Sequence, residues 1–63
     1  MEKAIEIFKN ALEMEVEAEI FYEKAAEITD DDESRMVFLE LSDMEDGHAN
    51  RIVERFKNTP FGQ

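Results

Sequence analysis

The sequence predicts an all-α protein: an antiparallel two-helix hairpin that pairs with a second copy of itself to complete a four-helix bundle. Three observations predict it. Residues 3–29 and 33–57 contain no proline, their only glycine is Gly47, and both are rich in strong helix formers. Each stretch carries an apolar stripe that steps by four and three residues, the spacing of a helix seam. The connection, Thr29-Asp30-Asp31-Asp32, is short and polar, which makes the helices antiparallel neighbours.

The first helix, about residues 3–29, has the stripe Ala4, Phe8, Ala11, Glu15, Ala18, Tyr22, Ala25. Ile5, Leu12 and Ala26 flank it on one side, and Ile7, Met14, Phe21 and Ile28 on the other. An apolar face this wide belongs to a helix packed on more than one neighbour. Glu2, Glu6, Lys9, Glu13, Glu17, Glu23, Lys24 and Glu27 fill the opposite side. Two features break the pattern. Glu15 stands where an apolar residue belongs, and a carboxylate there must be paired, protonated or metal-bound. Val16 and Ile20 are apolar on the outward side, either as ordinary scattered exposure or as a second association surface.

In the connection, Asp30 is the expected cap of the second helix, with Glu33 closing a capping box. Acidic side chains also suit the positive end of the helix dipole. A calcium loop is excluded: counted from Asp30, the positions that need Gly and Glu hold Arg35 and Leu41. The second helix, about residues 33–57, has the seam Phe38, Leu41, Glu45, His48, Ile52 and then Arg55 or Phe56. Val37, Met44 and Ala49 flank it, and Leu39 and Val53 widen the face. Pro60 and Gly62 end the pattern, leaving residues 58–63 as a short tail.

Composition narrows the function. Sixty-three residues make a single domain of marginal size, for which a metal or oligomerisation commonly supplies stability. The absence of cysteine excludes disulfides, a zinc ribbon, a thiolate-bound iron and thiol catalysis within these residues. Seventeen acidic against seven basic residues give a net charge of -10 and argue against nucleic acid as a partner. The acid excess reads as a solvated helical surface; it also concentrates cations near a metal site. No stretch has the length and apolarity of a membrane span or a signal core, so the expected location is cytoplasmic.

The chemistry centres on Glu45-Asp46-Gly47-His48. Glu45 and His48 are three residues apart and project from one helix face. With 12 Glu in the chain, a Glu three before the only His is a coincidence that occurs about one time in five, so the motif alone is weak. What strengthens it is position. Both residues fall on the apolar stripe, Glu15 does so in the other helix, and the heights agree. At about 1.5 Å per residue from a turn at Asp31, Glu15 lies ~24 Å, Glu45 ~21 Å and His48 ~26 Å along the hairpin. Glu15, Glu45 and His48 are therefore the predicted metal ligands. The competing explanation is a core histidine satisfied by Glu45.

A two-helix hairpin cannot bury both wide faces, whereas two copies with two-fold symmetry can. Symmetry doubles the layer to four carboxylates and two imidazoles. Four carboxylates in one core cannot all ionise unaided, and two divalent ions would balance them. Oxygen donors with one imidazole per metal suit iron or manganese, and zinc also accepts them.

The run Ala11-Leu12-Glu13-Met14-Glu15, then Phe21-Tyr22, Phe38-Leu39-Glu40-Leu41 and Glu45-x-x-His48 resembles the di-iron domain of the rubrerythrin branch of the ferritin-like superfamily. It is also similar to the half-bundle ferritin-like proteins carried inside encapsulin shells. The resemblance spans about residues 4–57 and implies a ferritin-like four-helix bundle with the site built across a homodimer, and a nanocompartment as an alternative location. It implies that Glu15 and Glu45 are carboxylate ligands, Glu45 bridging two irons, that His48 is the terminal nitrogen ligand, and that Tyr22 supplies a hydroxyl near the site. The implied function is oxidation of Fe(II) by dioxygen or peroxide. The alternatives are peroxide reduction with electrons from an external donor, the cysteine-ligated iron domain of rubrerythrins being absent from these residues, and a helical dimerisation module whose polar seam sets register.

Overall fold

The computed structural model describes residues 2–62, with the side chain of Phe61 outside the description. Helix α1 runs Glu2–Ile28 and helix α2 runs Asp32–Lys57, each within a residue of the boundaries read from the sequence. A short 3-10 turn, Pro60–Gly62, follows α2. The helices form an antiparallel hairpin of 46 × 16 × 10 Å, one layer deep. No strand occurs among the described residues, and none of their helices is long and apolar enough to cross a membrane.

The turn is held by side chains. Thr29 donates its hydroxyl to the Ala25 carbonyl at the end of α1. Arg35 reaches back from α2 and donates to the Thr29 carbonyl from Nε at 3.3 Å and Nη2 at 3.0 Å, while Nη1 meets Asp32 at 3.1 Å. A guanidinium thereby satisfies a carbonyl that the end of α1 leaves orphaned. The cap of α2 is Asp31, not Asp30. The Asp31 Oδ2 accepts from the Ser34 backbone N–H at 2.9 Å and from the Ser34 hydroxyl at 2.7 Å, which holds its carboxyl below the usual range. Helix α2 begins at Asp32, one residue later than an Asp30 cap requires, so the side chain that reaches its first free N–H groups is that of Asp31.

At the far end, Asn58 closes α2 with its N–H directed to Arg55 and Phe56 carbonyls. The predicted tail is thus partly ordered: Thr59 donates its hydroxyl to the Phe56 carbonyl at 2.6 Å, and Gly62 N–H donates to Thr59 at 3.1 Å. A side chain at Gly62 would collide with the Phe56 carbonyl.

Contact between the helices runs through small residues. Ala26, Ser42 and Ala49 are buried, and Ser42 donates its hydroxyl across the gap to the Glu19 carbonyl at 3.3 Å. Larger side chains close the interface at two levels. Phe8 meets Phe56 edge-on at 5.4 Å, and Tyr22 stacks on Phe38 at 6.4 Å. Phe56, half-buried, continues the α2 seam, and Arg55 is exposed.

The hairpin by itself has almost no interior. No large side chain among the described residues is fully buried. Ile7, Met14, Phe21 and Ile28 recur every seven residues along α1 and are all exposed, as are Val37 and Met44 of α2. With 3.6 residues per turn and antiparallel helices, these six lie on the same side of the hairpin. Val16, Ile20 and Leu39 are partly exposed on the other side, where Val16 and Ile20 were expected.

Candidate metal centre

The three predicted ligands meet. Glu15 comes from the middle of α1, and Glu45 and His48 come from one face of α2. His48 Nδ1 lies 3.4 Å from Glu15 Oε2 and 3.6 Å from Glu45 Oε1. One ligand-type atom from each residue falls within 4.8 Å of the others. The carboxylates are mostly covered, with side chains 27% exposed at Glu15 and 21% at Glu45, whereas the imidazole is 44% exposed. The cluster is therefore covered between the helices and open at the histidine.

Its electrostatics are strained in a specific way. Glu15 Oε2 is buried and has no hydrogen-bond partner. Glu45 holds its proton above the ordinary glutamate range, first because its carboxyl shares a hydrogen bond with Glu15, then because it is desolvated and lies beside the Glu15 charge; His48 opposes the shift. These facts are two sides of one conflict. Two ionised carboxylates offer only acceptors, so their contact becomes a hydrogen bond only when one of them carries a proton. Ionised together, they leave Glu15 Oε2 without a donor from Glu45. Either a proton or a cation resolves this, and a cation resolves it for both carboxylates at once.

The donor set fits a divalent first-row metal: two carboxylate oxygens and an imidazole nitrogen suit iron or manganese, and zinc accepts the same donors. Three ligands leave such an ion short of its usual coordination.

The neighbours divide into packing and boundary roles. Tyr22 lies two turns beyond Glu15, half-buried, with its ring on Phe38 and edge-on to Phe21 at 5.5 Å. Glu19 stays outside the cluster, and its carboxyl is pushed up by desolvation and by Asp46, with which it shares a hydrogen bond. The sequence reading passed over this Glu19–Asp46 pair; the only signal for it was that both positions border the seam. Gly47 carries no close neighbour within the chain, for a Cβ there would meet nothing within 4 Å.

An all-helical hairpin with a carboxylate–carboxylate–histidine cluster between its helices defines a helical protein with a candidate metal site. The rubrerythrin family profile matches residues 4–60, and the chain belongs to that family. Its members typically bind iron, in keeping with the Glu15, Glu45 and His48 group. No curated protein and no solved structure matches the chain significantly.

Proposed function

We propose that two copies of this chain bind two iron ions between them and oxidise Fe(II) with dioxygen or peroxide. The observation that carries the proposal is the convergence of Glu15, Glu45 and His48 around a buried carboxylate oxygen with no hydrogen-bond partner among the described residues. Iron bound there supplies redox chemistry. The residues do the rest. Glu15 and Glu45 exchange the proton they share for metal charge. His48, a neutral donor, holds the metal without adding negative charge. Tyr22 offers a hydroxyl on the same stripe as Glu15, and its part in the reaction rests on the family resemblance.

The second copy follows from two features. Three ligands are too few for two ions, and a two-fold axis supplies six. The six exposed apolar residues, Ile7, Met14, Phe21, Ile28, Val37 and Met44, lie on the side of the hairpin to which His48 also belongs. Docking that side against its own copy buries the apolar stripe and closes the open side of the cluster. Oxidation of iron is favoured over peroxide reduction because these residues hold no cysteine for an electron-delivering iron centre.

Anaerobic titration with Fe(II), then exposure to oxygen, tests the reading. Two irons per pair of chains are expected, with dioxygen consumed and ferric absorbance rising. Glu45→Ala and His48→Ala are each expected to abolish the reaction. Absence of stoichiometric binding would refute the iron reading and leave a helical dimerisation module. Turnover of peroxide only with an added reductant would make the protein a peroxide reductase.

A further inference from the structure

Two of the six residues on the uncovered side are methionines, and each directly precedes a carboxylate of the cluster: Met14 before Glu15 and Met44 before Glu45. On the unpaired hairpin, the form in equilibrium with the pair, Met14 is 69% exposed and Met44 55% exposed, so an oxidant reaches both there. They stand level with the cluster, one on each helix, so a two-fold axis through the site gathers four thioethers around it. No cysteine competes with them for an oxidant.

We propose that Met14 and Met44 make the assembly of the site peroxide-sensitive, their conversion to sulfoxides driving the two copies apart. The inference rests on the two-copy reading above. The chemistry is oxygen transfer from a hydroperoxide. A sulfur lone pair attacks one peroxide oxygen, the S–O bond forms and the O–O bond breaks. The transferred oxygen gives its proton to the departing hydroxide, which leaves as water. Sulfur loses two electrons and the peroxide gains them. The product is a polar group on a surface whose association depends on apolar contact, and nothing on Ile7, Phe21, Ile28 or Val37 can donate a hydrogen bond to it. Four such groups at the interface act together. The consequence is a limit on the site itself: an excess of peroxide dismantles the paired layer of ligands before further turnover.

The test compares the full chain before and after hydrogen peroxide, with no metal added, by sedimentation and by mass spectrometry of each methionine. Met36, 61% exposed on the other side of the hairpin, is the internal control. The untreated protein is expected to be a dimer, and conversion of Met14 and Met44 to weaken it at least about a hundredfold. Methionine sulfoxide reductases should restore it. The double variant Met14→Leu/Met44→Leu should stay dimeric after peroxide although Met36 is converted, and Met36→Leu should behave as the native chain. The proposal is overturned if the doubly oxidised native protein remains dimeric, if the double variant dissociates equally, or if Met36 is converted while Met14 and Met44 are not. A monomer before treatment overturns the two-copy reading and this inference with it; a dimer that survives oxidation overturns this inference alone.

Discussion

Phe21→Ala is the sharpest probe of the pairing surface. Phe21 is 62% exposed on the isolated hairpin and lies on the side that also carries Met14 and Ile28. A covered phenyl side chain buries ~200 Å², so about 120 Å² of it awaits a partner. After subtracting what an alanine retains, roughly 80 Å² of apolar contact is lost per chain, or about 2 kcal/mol at 25 cal/mol per Å². Two-fold symmetry counts the loss twice, so the dimer weakens by about 4 kcal/mol, close to a thousandfold in dissociation constant. Within the hairpin the ring meets Tyr22 edge-on and is otherwise largely exposed, so helix content measured by circular dichroism should change little. Sedimentation across a concentration series reads the dissociation constant directly. A dimer as tight as the native one would refute the assignment of this side as the interface; a matched loss at the opposite side, in Ile20→Ala, would relocate it.

Other substitutions probe the site and the helices separately. Glu45→Gln removes the proton conflict. Because the Glu45 pKa is raised in the folded state, its contribution to stability is present at acid pH and lost as pH rises through that raised value. The metal-free native protein should therefore lose thermal stability on going from mildly acidic to neutral pH, and Glu45→Gln should flatten that dependence while abolishing iron uptake. A metal-free melting profile that rises towards neutral pH in the native chain, and is unchanged by the substitution, would contradict the shared proton. Gly47→Ala has room for its Cβ and sits inside α2, so it should stabilise the fold by about 0.5–1 kcal/mol in thermal denaturation. Destabilisation would reveal another helix pressed against Gly47 in the assembly. Asp31→Ala removes the acceptor for Ser34 and should lower the melting temperature by roughly 5 °C, with Asp30→Ala nearly silent.

Much of this was legible along the chain because the helices are long and their stripes regular. Glu15, Glu45 and His48 declared themselves as polar residues in apolar positions, and 1.5 Å of rise per residue sufficed to set them level. Periodicity decided less where neighbours were chemically alike. A run of three aspartates offers several caps, and only the path of the turn selects Asp31. Arg55 and Phe56 both continue the α2 seam on paper, and the edge-on contact with Phe8 gives the place to Phe56. Ser42 carries no signal in the apolar stripe; it is buried because the helices approach closely there, and its hydroxyl finds the Glu19 carbonyl.

The sequence by itself determined the helices, their antiparallel order and the identity of three ligand-type side chains. Those depend on local propensity and on the period of a single helix. Only the tertiary structure decided that the three side chains converge within 4.8 Å, and that two carboxylates are close enough to contest one proton. It alone decided, too, which apolar residues the hairpin leaves uncovered. These depend on how one helix is rotated against the other, and that rotation is set by Ala26, Ser42 and Ala49 packing across the gap.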